Sequence, residues 1–442
     1  MKPSGDKIQT TWWLGKGLTS QLFRGGAGSL LTRATEVVLT LAVAVLLARL
    51  LGASGYGVYA LVFAMASIAV MPAQAGLPPL VVRETAKGQR TGDWSAVRGI
   101  WRWSNTLALS LSVLILVGGT LGLWLDWPQG EALREPIVWA LGLIPLTALL
   151  AIRSASLRGL RHMMAGLIPE LVIRPALLTG SLLAVWLLYK STITPGEAMA
   201  LTVASTLVAF AVGAWLLRHY RPPEITTVRP HYQHKAWLTA AWPMALTQGF
   251  EKINRYADVL LLGLLAATVD VGVYRVAAQG AMLVSLGLVA LNIVIAPYAV
   301  RLHTEQAQRQ LQKLVQRTSL AALIVAVPAT LFFFVLGEWL LITLFGDEFR
   351  SAYWPMLILS GGQLVNAWFG PPGLLLTMTG YEREVARTAA VTAGVNIVLN
   401  ILLIPPLDAT GAAIATSISL AFWKVWLWKI AKKRLGIRCS AI

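Results

Sequence analysis

Glu251, Lys252, Arg255 and Asp258 stand in FEKINRYADVLLLGLL, residues 250–265, directly ahead of an uninterrupted apolar run. The chemistry open to them depends on depth. The run from Val259 to Ala267 is too short to cross a bilayer alone, because a hydrocarbon core of ~30 Å takes about 20 helical residues. Upstream, AWLTAAWPMALTQG (residues 236–249) is also apolar, so a span from Leu238 to Leu265 holds the charged turns near mid-depth. A central Arg, Lys or Asp costs roughly 2.5 to 3.5 kcal/mol on insertion scales, so such residues face a partner or a water-filled cavity. At ~100° per residue, Glu251, Asn254, Arg255 and Asp258 share one stripe, with Lys252 at its margin. Two chemistries fit. The i,i+4 and i,i+3 spacings of Glu251 with Arg255 and of Arg255 with Asp258 allow self-neutralisation. The same stripe could instead line a polar cavity in which Arg255 grips phosphate through its planar fork.

Other charges fall within apolar stretches. Arg33 and Glu36 precede VVLTLAVAVLLA, itself too short to cross. Glu170 and Arg174 lie four apart in GLIPELVIRPALLTG, where Pro175 marks a kink, so an intrahelical pair competes with a cavity role. Arg275 falls in the first turn of the eighth apolar stretch, where it could snorkel to the surface. Arg33, Arg174, Lys252, Arg255 and Arg275 are therefore the candidate substrate-binding cations. Glu36, Glu170, Glu251 and Asp258 are the candidate coupling-ion or charge-pair residues.

The elements that must position these groups are membrane helices. Of 442 residues, 56% are hydrophobic and 13% charged, with mean hydropathy +0.65. That composition excludes an ordinary soluble domain. About twelve stretches reach spanning length, near residues 28–50, 57–77, 103–125, 137–157, 166–189, 197–217, 238–266, 272–298, 318–344, 353–378, 386–404 and 409–430. The net charge of +17 is concentrated in alternate loops and does not mark a nucleic-acid surface. Arg83, Lys87, Arg90 and Arg98 crowd the second loop, Arg218, Arg221, Arg229 and Lys235 the sixth, and Lys429, Lys432, Lys433 and Arg434 the C-tail. The odd loops hold Asp126, Glu131, Glu135, Asp270, Asp347 and Glu348. By the positive-inside rule both termini are expected in the cytoplasm. Polar residues precede the first stretch for over twenty positions, so it is expected to stay as a span and not to be removed as a signal. Cys439 is the single cysteine, which excludes an intrachain disulfide and a cysteine metal site. The five histidines fall in expected loops, so neither a metal nor a cofactor is expected.

An internal repeat divides the chain. ARLLGASGYGVY, residues 48–59, is echoed by LLGLLAATVDVGVY, residues 261–274, with GVY displaced by 215 positions. The same displacement carries Glu36 onto Glu251, so each half places charge within its first helix. Six spans recurring as six keep one orientation, giving parallel repeats about an axis along the membrane normal. The expected organisation is an N-terminal lobe over residues 1–217, a cytoplasmic linker over 218–236 and a C-terminal lobe over 237–442.

ARLLGASGYGVYAL, GLPPLVVRE, ADVLLLGLLAATVDVGVYRVAAQ, LFGDEFRSA and NIVLNILLIPPLDATGAAIAT, taken in order, cover nearly the whole chain. They resemble the polysaccharide-biosynthesis flippases of the multidrug, oligosaccharidyl-lipid and polysaccharide exporter superfamily. The resemblance implies an all-α integral membrane protein of about twelve transmembrane helices, in two pseudo-symmetric six-helix lobes around a cavity that opens to either side in turn. It implies a polyprenyl-diphosphate-linked glycan as substrate, carried to the outer leaflet of the cell inner membrane. Glycosyltransferases and a polysaccharide polymerase are the implied protein partners, with no nucleic acid. It supplies no invariant motif from which to carry over residues, so the site rests on chemistry.

Two other classes stay open. A cation-coupled drug exporter of the same superfamily would favour an acidic, aromatic cavity. A membrane glycosyltransferase or polymerase would need acid, base or phosphate-binding groups in a sizeable outer loop, and the longest, DWPQGEALRE at residues 126–135, has little room for them. Many of the tryptophans, Trp124, Trp242 and Trp354 among them, sit at expected span ends as interfacial anchors. HTEQAQRQLQKLVQR, residues 303–317, is expected to be an in-plane cytoplasmic helix.

Overall fold

The computed structural model describes residues 16–125, 131–188 and 192–441, with side chains from residue 31 onward except at 293 and 297. Lys2 and Lys7 of the N-tail and Asp126 of the first outer loop lie outside the described residues. Every regular element described is helical. The first half of the chain contains α1 (Lys16–Gln74), α2 (Leu77–Thr91), α3 (Trp94–Trp124), α4 (Glu131–Gly159), α5 (Met163–Ile168), α6 (Arg174–Leu188) and α7 (Pro195–Tyr220). A short α8 (Glu224–Thr227) follows. The second half contains α9 (His234–Leu265), α10 (Thr268–Val284), α11 (Leu286–Thr304), α12 (Gln308–Phe345), α13 (Tyr353–Phe369), α14 (Pro372–Met378) and α15 (Glu382–Leu435).

Among the described residues seven helical segments are long and apolar enough to cross a membrane, counting α5, the intervening turn and α6 (Met163–Leu188) as one, or eight if α10 and α11, bent by 52° at their junction, also count as one. Two are too long to be single rods. At ~1.5 Å per residue a straight α1 would far exceed a ~30 Å hydrocarbon core. Gly52 breaks it at φ 67, a left-handed conformation that glycine adopts without strain. The chain then folds back, so Thr40 of the first arm and Ser67 of the second face the same cavity. In α15 the break falls at Asp408, φ 47, just after Pro405 and Pro406, which lack the N–H groups needed to continue the helix.

Local sequence sets the other ends. The Asp93 side chain accepts from the backbone N–H of Ala96 at the start of α3. Thr194 and Glu197 form a reciprocal capping box around Pro195 at the start of α7. The kink expected at Pro175 takes the form of a π turn over Pro169–Ile173, in which the Arg174 N–H reaches back to the Pro169 carbonyl. One expectation is corrected. Residues 308–317 are not a separate in-plane helix but the opening turns of α12, because no glycine or proline interrupts the chain between Gln308 and Val327.

The two halves meet along α1. Its arms pack on α10 and α9 as well as on α4, and α9 packs on α15. One buried cluster joins Leu47, Tyr56 and Val62 of α1 to Leu262, Val273 and Phe349 of the second half. A second gathers Leu80, Ile100 and Ile144 around Trp237 of α9. A third seats the tail after α15, including Ile437 and fully buried Cys439, against Leu311 and Val315 of α12.

Candidate functional site

A cavity of about 380 Å³ opens between the halves, walled by α1, α4, the π turn, α6 and α9. Arg174 enters from the first half, Lys252 and Arg255 from the second. Glu36, Glu170 and Glu251 share the wall, with Gln74, Thr147, Gln248 and Tyr256. The two glutamates related by the repeat, Glu36 and Glu251, thus face one space. Lys252 Nζ bonds Gln74 Oε1 at 2.9 Å across the halves. Among the described residues Arg255 forms no ion pair with Glu251 or Asp258, so its donors are left for the cavity.

Not every candidate gathers here. Arg33 is about half exposed and bonds Glu36 at 2.8 Å in an i,i+3 pair, and it is absent from the wall. Arg275, half-buried on α10, stands beside Tyr56 near the Gly52 end of the bundle. It lies outside the cavity because α10 packs there on α1. Asp258 departs from the expected stripe. It shares the azimuth of Glu251 but lies two turns, ~10.5 Å, further along the helix, where α15 covers α9 and leaves the residue 4% exposed. Depth separates the two carboxylates.

Asp258 is held in a buried polar network. Its Oδ2 accepts from the hydroxyls of Tyr274 and Thr416, each at 2.8 Å. Its Oδ1 accepts from Asn400 Nδ2 at 2.8 Å. Among the described residues the buried Oδ1 atoms of Asn396 and Asn400 have no hydrogen-bond partner. The repeat makes this arrangement one-sided. Tyr274 and Thr416 reproduce a pair in the first half, Tyr59 and Thr202, whose hydroxyls lie 2.9 Å apart. Tyr59 and Tyr274 are 215 positions apart and Thr202 and Thr416 214 apart; at a displacement of 215 the counterpart of Asp258 is Val43, so only the second half carries the carboxylate. No cluster of three His, Cys, Asp or Glu side chains is present among the described residues. The oxygens around Asp258 are nonetheless a place where a small hard cation or a proton could neutralise a buried charge. Sequence reasoning missed Asn396 and Asn400, although two asparagines four apart in the apolar stretch NIVLNILLI signal a polar helix face.

The Gly52 end is shut. Arg49 Nε donates to the Leu344 carbonyl at 2.9 Å and its Nη2 to that of Thr343, at the C-terminus of α12. There a cation meets the negative pole of the helix. Glu348, in the turn after α12, accepts from the Ala53 N–H at 2.7 Å. Ser54 and Thr268 hydroxyls lie 3.2 Å apart. Gly57 and Gly272, the repeated glycines of GVY, pack so closely that a Cβ on either would run into the opposite backbone, at the Thr268 and Ala53 carbonyls. Sequence reasoning missed this clasp as well, although both its parts lie within the quoted stretches ARLLGASGYGVYAL and LFGDEFRSA.

Comparison with known proteins follows the same lines. The chain is 24% identical over 380 residues to a protein of Haloferax volcanii described as a probable low-salt glycan biosynthesis flippase, Agl15, covering 85% of this chain and 76% of the relative. An inward-facing multidrug resistance transporter of the superfamily superposes with a TM-score of 0.72 at 14% identity, covering 91% of this chain and 94% of the transporter. The lipid II flippase MurJ, in an inward closed conformation, superposes with a TM-score of 0.72 at 12% identity, covering 91% of this chain and 87% of MurJ. Identities this low establish a shared fold. The sequence also matches the family described as polysaccharide biosynthesis protein over residues 24–303, well over half its length, and the chain belongs to that family.

Proposed function

We propose that this protein moves a polyprenyl-diphosphate-linked oligosaccharide from the cytoplasmic to the outer leaflet by alternating access. The observation that carries the reading is the convergence of Arg174, Lys252 and Arg255, drawn from both halves, on one polar cavity beside a sealed end. A diphosphate needs several fixed donors in a hydrated space, and guanidinium supplies them in pairs. Membership of the family, the flippase description of the archaeal relative and the likeness to a lipid II flippase support the same class. The sealed end and the open cavity correspond to one of the two states that alternating access requires.

The finer organisation belongs to the same proposal. Counting the two arms of α1 and of α15 separately, α10 with α11 as one, and adding α9 and α13 to the remaining long helices, yields twelve crossings and two six-helix lobes joined by residues 218–236. The loop charges support a cytoplasmic location for both termini, with the protein in the cell inner membrane and the cavity opening inward. Arg174, Lys252 and Arg255 serve as the diphosphate donors, while Arg33, paired with Glu36, and Arg275, outside the cavity, are not part of that set. Asp258 serves as the group that a coupling ion or proton neutralises. Glycosyltransferases and a polymerase act before and after this step.

One observation favours a second reading. Glu36, Glu170 and Glu251 line the cavity with Tyr256 and Phe63, a wall that would also suit an organic cation. Reconstitution separates the two. Proteoliposomes should translocate a fluorescent undecaprenyl-diphosphate sugar and leave ethidium efflux unchanged; the opposite result would transfer the protein to the drug exporters.

A further inference from the structure

Beside the charged cavity lies a second one of about 570 Å³ lined only by apolar side chains and glycine. The two are consecutive along the same helices. On α1, Phe63, Ser67 and Val70 face the first and Val62, Met65 and Ala69 the second, with Ala66 on both walls. On α4, Thr147 faces the first and Ala140 and Ile144 the second. On α9, Tyr256 faces the first and Leu260, one turn on, the second. An amphipathic ligand is therefore matched along its length: charge meets the polar chamber, hydrocarbon the apolar one.

Helix α3 closes the outer wall and leaves it open at one place. Gly118 and Gly119 both line the chamber. A side chain at Gly119 would strike Leu141, but a Cβ at Gly118 meets nothing within 4 Å. Adjacent glycines in a helix interior cost about 1 kcal/mol each relative to alanine; Gly119 makes room for Leu141, and Gly118 leaves open space at the chamber wall. Leu114, Val117 and Leu121 around Gly118 are exposed apolar residues, so this wall gives onto lipid.

We infer that this chamber seats the polyprenyl chain of the substrate whose diphosphate occupies the charged cavity, the inference resting on the flippase reading above. With the head in the cavity, the proximal isoprene units pass over Ala66 and lie between α1, α3 and α4. The remainder of the chain leaves beside Gly118 into the bilayer. A hydrocarbon moving from lipid into an apolar groove gains little transfer free energy, since lipid tails are as apolar as the groove. The chamber therefore acts by steering the head, holding the first units of the tail in line with Arg174 and Arg255.

Photocrosslinking tests this on the full-length protein in phospholipid vesicles containing undecaprenyl diphosphate. A diazirine amino acid is placed at position 118 in one variant and at position 147 in another, and the adducts are identified by mass. Undecaprenyl adducts at both positions, with the adduct at 118 lost on Arg174→Ala plus Arg255→Ala, are expected. Adducts at 147 alone, or phospholipid alone at 118, would overturn the tail site and leave the flippase reading standing. An undecaprenyl adduct at neither position would overturn both. As a functional check, Gly118→Trp, at a position where a Cβ meets nothing within 4 Å, should reach normal levels in the membrane yet slow translocation of the undecaprenyl substrate while sparing a geranyl analogue with the same sugar. Equal slowing of both substrates would count against the tail site.

Discussion

Glu348 holds the backbone N–H of Ala53 at 2.7 Å, tying the turn after α12 to the first residue beyond the Gly52 break in α1. The two residues are 295 positions apart and belong to opposite halves. Arg49 makes the reciprocal connection, from α1 to the last carbonyls of α12. These bonds must break for the sealed end to open. Both side chains are exposed, so each bond contributes about 1 kcal/mol after solvent screening. The double change Arg49→Ala with Glu348→Ala removes about 2 kcal/mol and should move the balance between states roughly thirtyfold towards the form open at the Gly52 end. Electron–electron distance measurements between spin labels at Ser54 and Thr268 read this directly; an unchanged distance distribution would deny the clasp its gating role.

Arg255→Ala should cut translocation by roughly tenfold to a hundredfold, the loss expected when a charge-assisted contact worth about 1.5 to 3 kcal/mol is removed. Abundance should not fall, because among the described residues Arg255 has no ion partner to strand. Arg255→Lys should recover part of the rate, since a point charge lacks the planar fork. The double change Glu251→Gln with Arg255→Gln should stay inactive. Recovery of activity in that variant, followed by lipid-linked oligosaccharide in the cytoplasmic leaflet, would show that the two residues only neutralise each other.

Asp258 separates coupling from folding. Asp258→Ala takes the carboxylate acceptor from Tyr274, and from Asn400 and Thr416, which keep the Asn396 and Ala412 carbonyls, and should destabilise the protein by about 1 to 3 kcal/mol, read as a lower melting temperature in detergent. Asp258→Asn retains shape and most hydrogen bonds. That variant should reach normal levels yet lose the response of transport to an imposed sodium or proton gradient. A gradient response equal to the wild type would remove Asp258 from the coupling role.

Topology requires introduced cysteines. Cys439 is fully buried, and its carbonyl accepts from Ser319 at 2.7 Å, so the native thiol is shielded from reagent on either side of the membrane. In a Cys439→Ser background, Asp347→Cys should react with a membrane-impermeant maleimide in whole cells. Lys87→Cys should react only after lysis. The reverse pattern would invert the proposed orientation.

The sequence by itself determined the membrane character, the approximate span positions, the charged turns of α9 and the repeat. These are legible because apolar length and loop charge act locally, and because a chain in lipid must satisfy its own backbone, which leaves helices as the default. A helical wheel gives the azimuth of a side chain, however, and neither its depth nor its neighbour. Only the tertiary structure decided that Glu251 meets the cavity while Asp258, on the same azimuth, is sealed under α15. It alone set Arg174 opposite Arg255, left Arg33 with Glu36, and put Arg275 by Tyr56. The clasp of Arg49 and Glu348 and the chamber beside Gly118 arise from packing between segments hundreds or tens of residues apart, where the missing side chain of a glycine matters as much as the charge of an arginine.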